Sequence, residues 1–299
     1  MADPPELPAP PAPSPSAWAI QYAAQPAPVL ERTAPGQIRL DLLTDPWSVW
    51  CWGFEPVRRA LALRYPEVQF RALVGGMFPK LPKPEELGFD VGRFFATVQR
   101  STGMPIRPDA AQRDRPDSTF PACVAVHAVR LLKPEREAAF LRALREAAYL
   151  DGANVSRPDA QAEAAARAGV DAREFTEALA SGEPEREFRE RLAQLQGLNL
   201  RAYPTLLLTS GRRTARVEGF QSLPAVLSIA ESLAARALAP RPAPTLEDVV
   251  PRGERVATRE VAEALGLSVE AAYDRLRTAE QEGSLRRQRW ATGDTWSRA

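Results

Sequence analysis

A chain of 299 residues, 44% of them apolar, can bury one large core or two smaller ones, and its net charge of +1 excludes bulk electrostatic attraction to nucleic acid or membrane as an organising feature. Two cysteines, Cys51 and Cys123, are too few for a disulfide-stapled secreted scaffold, and a single histidine, His127, excludes a multi-histidine metal site, so no metal is expected. No apolar run reaches the ~20 residues that cross a bilayer, and the opening Met1-Ala2-Asp3-Pro4-Pro5-Glu6 has neither the basic start nor the apolar stretch of a secretory signal. A cytoplasmic protein with reduced thiols is expected.

Residues 1–36 hold ten prolines, mostly interleaved with alanine, a composition that cannot form a core and favours extended polyproline II. The stretch reads as a disordered leader, in which Trp18 and Tyr22 are either a docking segment or an incidental pair. Ile38 to Thr44 alternates apolar and polar residues and reads as a strand. The aromatic-rich stretch Asp45-Pro46-Trp47-Ser48-Val49-Trp50-Cys51-Trp52-Gly53-Phe54-Glu55-Pro56 then turns the chain into a helix expected from about 51 to 65. A second strand, Val68 to Val74, ends at Gly75-Gly76, and the βαβ unit implies two parallel neighbours with the motif at the C-terminal end of the first strand. A thiol at such a strand-to-helix junction meets free N–H groups that favour its thiolate.

Strand, turn and a C-x-x-C opening a helix is the layout of thioredoxin-fold active sites, and Asp45-Pro46 followed by Trp50-Cys51-Trp52-Gly53-Phe54-Glu55-Pro56 resembles the bacterial DsbA-like branch of thiol-disulfide oxidoreductases. The resemblance implies cysteine at both ends of the tetrapeptide, but here it reads Ser48-Val49-Trp50-Cys51, with serine at the position of the attacking thiol. A hydroxyl neither forms nor accepts a disulfide, so the two-cysteine oxidation cycle is unavailable to this pair.

From Pro82 to about Leu200 the pattern is helical, with candidates at 91–101, 121–132, 136–151, 159–168, 172–180 and 183–196. A helical block inside a thioredoxin fold is a further point of resemblance to DsbA-like proteins. Strands follow at 200–208 and 215–220, then a helix at 223–238. Thioredoxin-like proteins place a cis-proline before such a strand, facing the C-x-x-C, and the resemblance implies a cis Tyr203–Pro204 bond that frees flanking backbone for an extended substrate. Pro240 to Pro244 reads as a stiff linker. Beyond it, a helix over 258–265, a tight turn with Gly266, a helix capped by Ser268 and a hairpin over 285–297 resemble a winged helix-turn-helix domain.

The expected architecture is therefore α/β. It consists of a disordered leader (1–36), a DsbA-like thioredoxin domain (37–240) with a large helical insertion (about 82–200), and a linker with a small winged-helix module (241–299).

Ser48 has two readings, a helix N-cap or a hydroxyl that donates to a bound thiolate such as that of glutathione, as in the kappa-class glutathione transferases that are similar to this fold. Cys51 lies one turn inside the helix and reads either as a packed small residue or as a residual single thiol. Nothing in the sequence fixes the distance from Cys123 to Cys51. His127 reads as a packed or surface residue rather than a base. Trp47, Trp50 and Trp52, three within six residues on a turn, are expected to be partly exposed and, with Tyr203 and Thr205, to bind substrate beside Ser48, Cys51 and Pro204.

In residues 245–299 ten acids stand against nine arginines. Arg286, Arg287 and Arg289 gather near the hairpin, but Glu270, Asp274, Glu280 and Glu282 lie on or just beyond the second helix, where phosphates would be repelled. Protein contact is thus at least as well supported as DNA readout. Three functions follow: a polypeptide- or thiol-binding adaptor or weak single-cysteine redox protein of DsbA-like type, a glutathione-dependent transferase or isomerase using Ser48, and a DNA-binding regulator. Some cytosolic DsbA-like proteins are adaptors for regulated proteolysis, so a non-catalytic role is in keeping with the resemblance.

Overall fold

The computed structural model describes residues 32–34 and 36–299, together with the backbone of Gln21–Tyr22. Most of the proline-rich leader, including Trp18, lies outside the described residues. Gln21–Tyr22 form a short strand, β1, where no strand was expected.

Ile38–Thr44 forms β2 and Val68–Val74 forms β3, parallel in a register that sets Ile38 against Val68 and Thr44 against Val74. Thr205–Ser210 (β4) runs antiparallel to β2, Arg213–Glu218 (β5) antiparallel to β4, and β1 caps the β5 edge, giving the order β1-β5-β4-β2-β3. Ile38, Leu40 and Leu42 point to one face of β2, where they pack with Val57 and Leu61 of the helix after the motif and with Val226 and Leu233 of Leu223–Ala234. Leu43 on the other face meets Leu73, Leu207 and the end of the insertion at Leu195 and Leu198.

The motif helix is two helices, a correction to the continuous one expected. Val49–Gly53 (α1) ends at Phe54 and Glu55–Arg64 (α2) follows directly. Pro56 is the cause: it has no N–H to give the carbonyl one turn earlier, so the helix restarts around it. Gly53 lies against the insertion so closely that a Cβ there would stand 2.5 Å from the Thr102 methyl.

The insertion comprises Val91–Thr102 (α3), Phe120–Leu132 (α4), Glu137–Glu146 (α5), Pro158–Arg167 (α6), Ala172–Ala180 (α7) and Glu183–Gln196 (α8). The expected 136–151 helix changes to a wider π turn at Ala147–Asp151, ended by Gly152 in the left-handed region. Its core joins Phe95, Val98, Val126, Phe140, Leu144 and Tyr149 and extends to Trp47 and Trp52 of the motif. The expected strand at 200–208 starts only at Thr205, after the Tyr203–Pro204 peptide bond, which is cis. Leu223–Ala234 is α9.

The C-terminal part holds a one-turn helix at Leu246–Val249 (α10), β6 (Val256–Ala257), α11 (Thr258–Leu265), α12 (Val269–Gln281), β7 (Leu285–Trp290) and β8 (Gly293–Arg298), with sheet order β6-β8-β7. Buried Trp296, Val261, Leu265 and Leu276 form its core, on which Leu63 of α2 also packs.

A lattice of buried charge joins this part to the rest. Fully buried Arg142 of α5 donates to both oxygens of Glu260 on α11, at 2.7 and 2.9 Å, and to Glu146 at 2.8 Å. Arg59 of α2 reaches the same Glu260 at 2.9 Å, and Arg255 reaches Glu146 and Asp151. The Glu260 carboxylate also accepts the Ala257 N–H at 2.8 Å, closing the end of its own helix.

Candidate functional site

β2 delivers Thr44 and the Asp45–Cys51 turn to one end of the sheet. β4 brings Thr205, and Pro204 before it, to the same end, because Thr205 pairs opposite Leu43. Ser48 is the N-cap of α1, its Oγ accepting the Cys51 N–H at 3.4 Å; only 3% of the residue is exposed. Cys51 has no exposed surface. The Arg145 guanidinium and, after it, the Ser48 and Thr44 hydroxyls and the Asp45 backbone favour a negative charge at its sulfur. Burial outweighs them all and pushes the thiol up, so the thiolate expected from a strand-to-helix junction is not favoured.

Asp45, quoted above only as part of the motif, is a hub that the sequence reading did not single out. It is fully buried, accepting N–H bonds from Trp47 and Met77, each at 2.7 Å, while Cys123 Sγ stands 3.6 Å from its Oδ2. Burial pushes both up, the carboxyl despite hydrogen bonds from Thr119, Trp47 and Met77, and the Cys123 thiol further because the carboxyl's charge adds to its own burial. Cys123 therefore faces the motif through Asp45, and both cysteines are free thiols. The Asp-Pro dipeptide, a turn signal in itself, was the available clue.

Behind Cys51, Arg145 donates to Thr44 Oγ1 and to Glu55 Oε1, and Glu55 also pairs with Arg58 and lies 3.5 Å from Arg142. Burial alone would raise the Glu55 carboxyl, but the surrounding guanidiniums hold it well below the usual carboxylate range. His127 is buried, and burial together with Arg130 and Arg191 pulls it down to about 3, so it stays neutral.

The tryptophans divide, which corrects the expectation of an exposed trio. Trp52 is fully buried; its indole N–H donates to the Pro105 carbonyl at 2.9 Å, its ring stacks on Tyr149, and Arg142 lies 4.6 Å from the ring centre. Trp47 is 7% exposed against Phe95. Both are covered because the insertion folds over the turn and supplies a second core. Trp50 alone stays half-exposed, 6.0 Å from Phe220 and 6.4 Å from Phe94, and Phe94 is 5.4 Å from Phe89, which is 51% exposed. These rings make an aromatic strip beside the motif, drawn from three separate segments and so without a sequence signature.

Tyr203 is half-buried and lies within electrostatic reach of Asp45, Cys123 and Cys51, while burial pushes its phenol well above the ordinary tyrosine value. Thr205 is a correction: it is fully buried, and its hydroxyl is spent on the Ala202 carbonyl at 2.6 Å. The basic cluster near the hairpin is also a correction. Arg287 is bound to Asp294 at 2.5 Å and lies over the Tyr273 and Trp296 rings, whereas Arg286 and Arg289 are exposed on opposite faces of β7.

A model of the family described as thioredoxin matches residues 42–226, which contain the motif, the whole insertion, Pro204 and the two strands after it. The chain belongs to the thioredoxin family. Solved structures similar to it share the thioredoxin fold. A putative protein disulfide isomerase from Nitrosomonas europaea is 24% identical with a TM-score of 0.59, covering 66% of this chain and 97% of that one. A probable DsbA oxidoreductase from Streptomyces coelicolor is 20% identical with a TM-score of 0.54, covering 66% and 90%. Among curated proteins, the ClpXP adapter protein SpxH of Halalkalibacterium halodurans is 26% identical over 243 residues, covering 78% of this chain and 79% of the relative.

Proposed function

We propose that this thioredoxin-family protein is a polypeptide-binding adaptor rather than a disulfide-exchange enzyme. The observation that carries the reading is the split of the motif: its outward side is an aromatic strip at Trp50, Phe94, Phe220 and Phe89, while the one thiol of the tetrapeptide, Cys51, is sealed behind Ser48. Disulfide exchange needs an accessible thiolate, and a serine in the attacking place with a buried, proton-holding cysteine behind it supplies none. A partly exposed aromatic cluster beside a cleft is the usual anchor of protein recognition. Ser48, Cys51 and Pro204 then keep the shape of an ancestral site, with Trp50 and Tyr203 at its rim. The similarity to a ClpXP adapter protein supports a protein partner.

The element order β6-α11-α12-β7-β8 supports reading residues 241–299 as a winged helix, built onto a thioredoxin domain that spans 37–240. Its second helix presents exposed acid, Glu270 and Asp274, to an approaching duplex. Val269, Glu270 and Asp274 share a cleft of about 710 Å³ with Arg100 and Gly103 of the insertion, and the helix front is acidic. Both features favour protein contact at this module.

The test compares the full-length protein with a Trp50→Ala/Phe220→Ala variant as bait, alongside an insulin-reduction assay. The expected result is a set of proteins held by the native bait and lost from the variant, with insulin left oxidised. Identical capture by both baits, or insulin reduction at the rate of a two-cysteine DsbA-like enzyme, overturns the reading.

A further inference from the structure

α5, the end of α6 and the Arg252–Glu254 loop surround a hollow of about 150 Å³, several times the ~30 Å³ of a water molecule in the liquid. Four guanidiniums line it, Arg136, Arg142, Arg167 and Arg252, against two carboxylates, Glu146 and Glu254. The two carboxylates are already occupied. Glu146 accepts from Arg142, Arg167 and Arg255, and Glu254 from Arg59. Arg142 is likewise spent, on Glu146, Glu260 and the Arg255 carbonyl. Among the described residues Arg136 and Arg252 have no carboxylate partner, and both line this hollow.

The rest of the lining is small: Ala139, Ala143, Ala168, Gly169 and Gly253. Gly169 and Gly253 both adopt positive φ, +78° and +85°, and the Arg136 guanidinium carbon stands 3.7 Å from where a Cβ of Gly169 would be. A hollow with two surplus positive charges, two uncommitted forks and otherwise only alanine and glycine in its lining suits a small dianion, because guanidinium forks bind tetrahedral oxyanions bidentately.

We propose that this hollow is an oxyanion site for a phosphate group. Arg136 and Arg167 reach it from the insertion and Arg252 from the C-terminal part, so an occupant bridges the two parts of the chain. The site is independent of the partner-binding reading above.

The test is a titration of the full-length protein with inorganic phosphate and, separately, with O-phosphoserine, at ionic strength held constant with chloride, read by melting temperature and calorimetry. The expected result is a saturable rise in melting temperature that chloride does not give. Arg136→Ala/Arg252→Ala should bind at least tenfold more weakly, whereas Arg189→Ala, which removes a solvent-facing arginine of α8, should bind as the native protein does. Binding of phosphate alone identifies the free ion as the occupant, and binding of both identifies a phosphomonoester. No saturable response beyond chloride, or an equal response from the double variant, overturns the site.

Discussion

Arg142 and Glu260 are 118 residues apart in sequence and share a two-pronged, fully buried ion pair, 2.7 and 2.9 Å long, that ties the insertion to α11. A stiff linker before a separate module suggests two bodies that unfold apart, but this pair and Arg59 beside it make α11 a structural neighbour of α2 and α5. Removing one partner of a buried pair leaves an uncompensated charge, at a cost of about 3–5 kcal/mol. Glu260→Ala should therefore lower the unfolding free energy by that amount, read as a lower denaturant midpoint at an unchanged slope, while keeping a single transition. Two resolved transitions in the native protein, one belonging to residues 241–299, would contradict the coupling.

The two tryptophans that flank Cys51 should respond in opposite ways. Trp52→Ala removes a ring that is fully buried on Tyr149 and Arg142 and should cost about 3–5 kcal/mol of stability. Trp50→Ala should leave the melting temperature within a few degrees but weaken partner binding by about 2 kcal/mol, roughly thirtyfold, as expected of a recognition anchor. Equal thermal losses in the two variants would refute the division.

Neither thiol is accessible in the folded state, so an aromatic disulfide reagent should label Cys51 and Cys123 only as the protein opens. Labelling should accelerate with denaturant in parallel with unfolding. Ser48→Cys restores a two-thiol tetrapeptide and should allow a 48–51 disulfide, detected as a loss of two free thiols on oxidation. The loss of the serine N-cap should lower stability by about 1 kcal/mol in the reduced form. Rapid modification of the native protein would mean that Cys51 is reachable after all.

His127 gives a pH dependence of definite sign. Its folded value, about 3, lies below the ordinary 6.5, so below pH 6.5 the unfolded chain binds a proton that the folded one refuses. Its contribution to stability is complete above pH 6.5 and is lost as pH falls towards 3, by about 1.4 kcal/mol per pH unit. His127→Gln should flatten the stability curve across that window when unfolding is followed at fixed pH steps. An unchanged slope would show that other groups carry it.

The parts of this molecule that were legible in the sequence are those governed by near neighbours. The alternation of Ile38 to Thr44 announced a central strand, and Asp159 to Ala168 and Ala172 to Ala180 showed helical spacing closed by glycine. The break at Phe54 departs from the continuous helix expected, although its cause, Pro56, is equally local. Long-range cover was not legible. Trp52 looked exposed because Pro105, Tyr149 and Arg142, which enclose it, lie more than fifty residues away. The charges of Arg59, Arg142, Glu146 and Glu260 carry no local sign of burial, and only the tertiary arrangement turns them inward. The aromatic strip escaped for the same reason, because Phe94, Phe220 and Trp50 meet only after the sheet and the insertion are assembled.

The absence of a side chain at Gly53 lets the motif helix seat itself against Thr102 with no gap between them. A segment wedged in this way has no room to swing, so a partner arriving at Trp50 meets a surface already in its final shape. Recognition should then resemble a key entering a fixed lock: association limited by orientation rather than by rearrangement, and affinity differences among partners expressed in how slowly they leave.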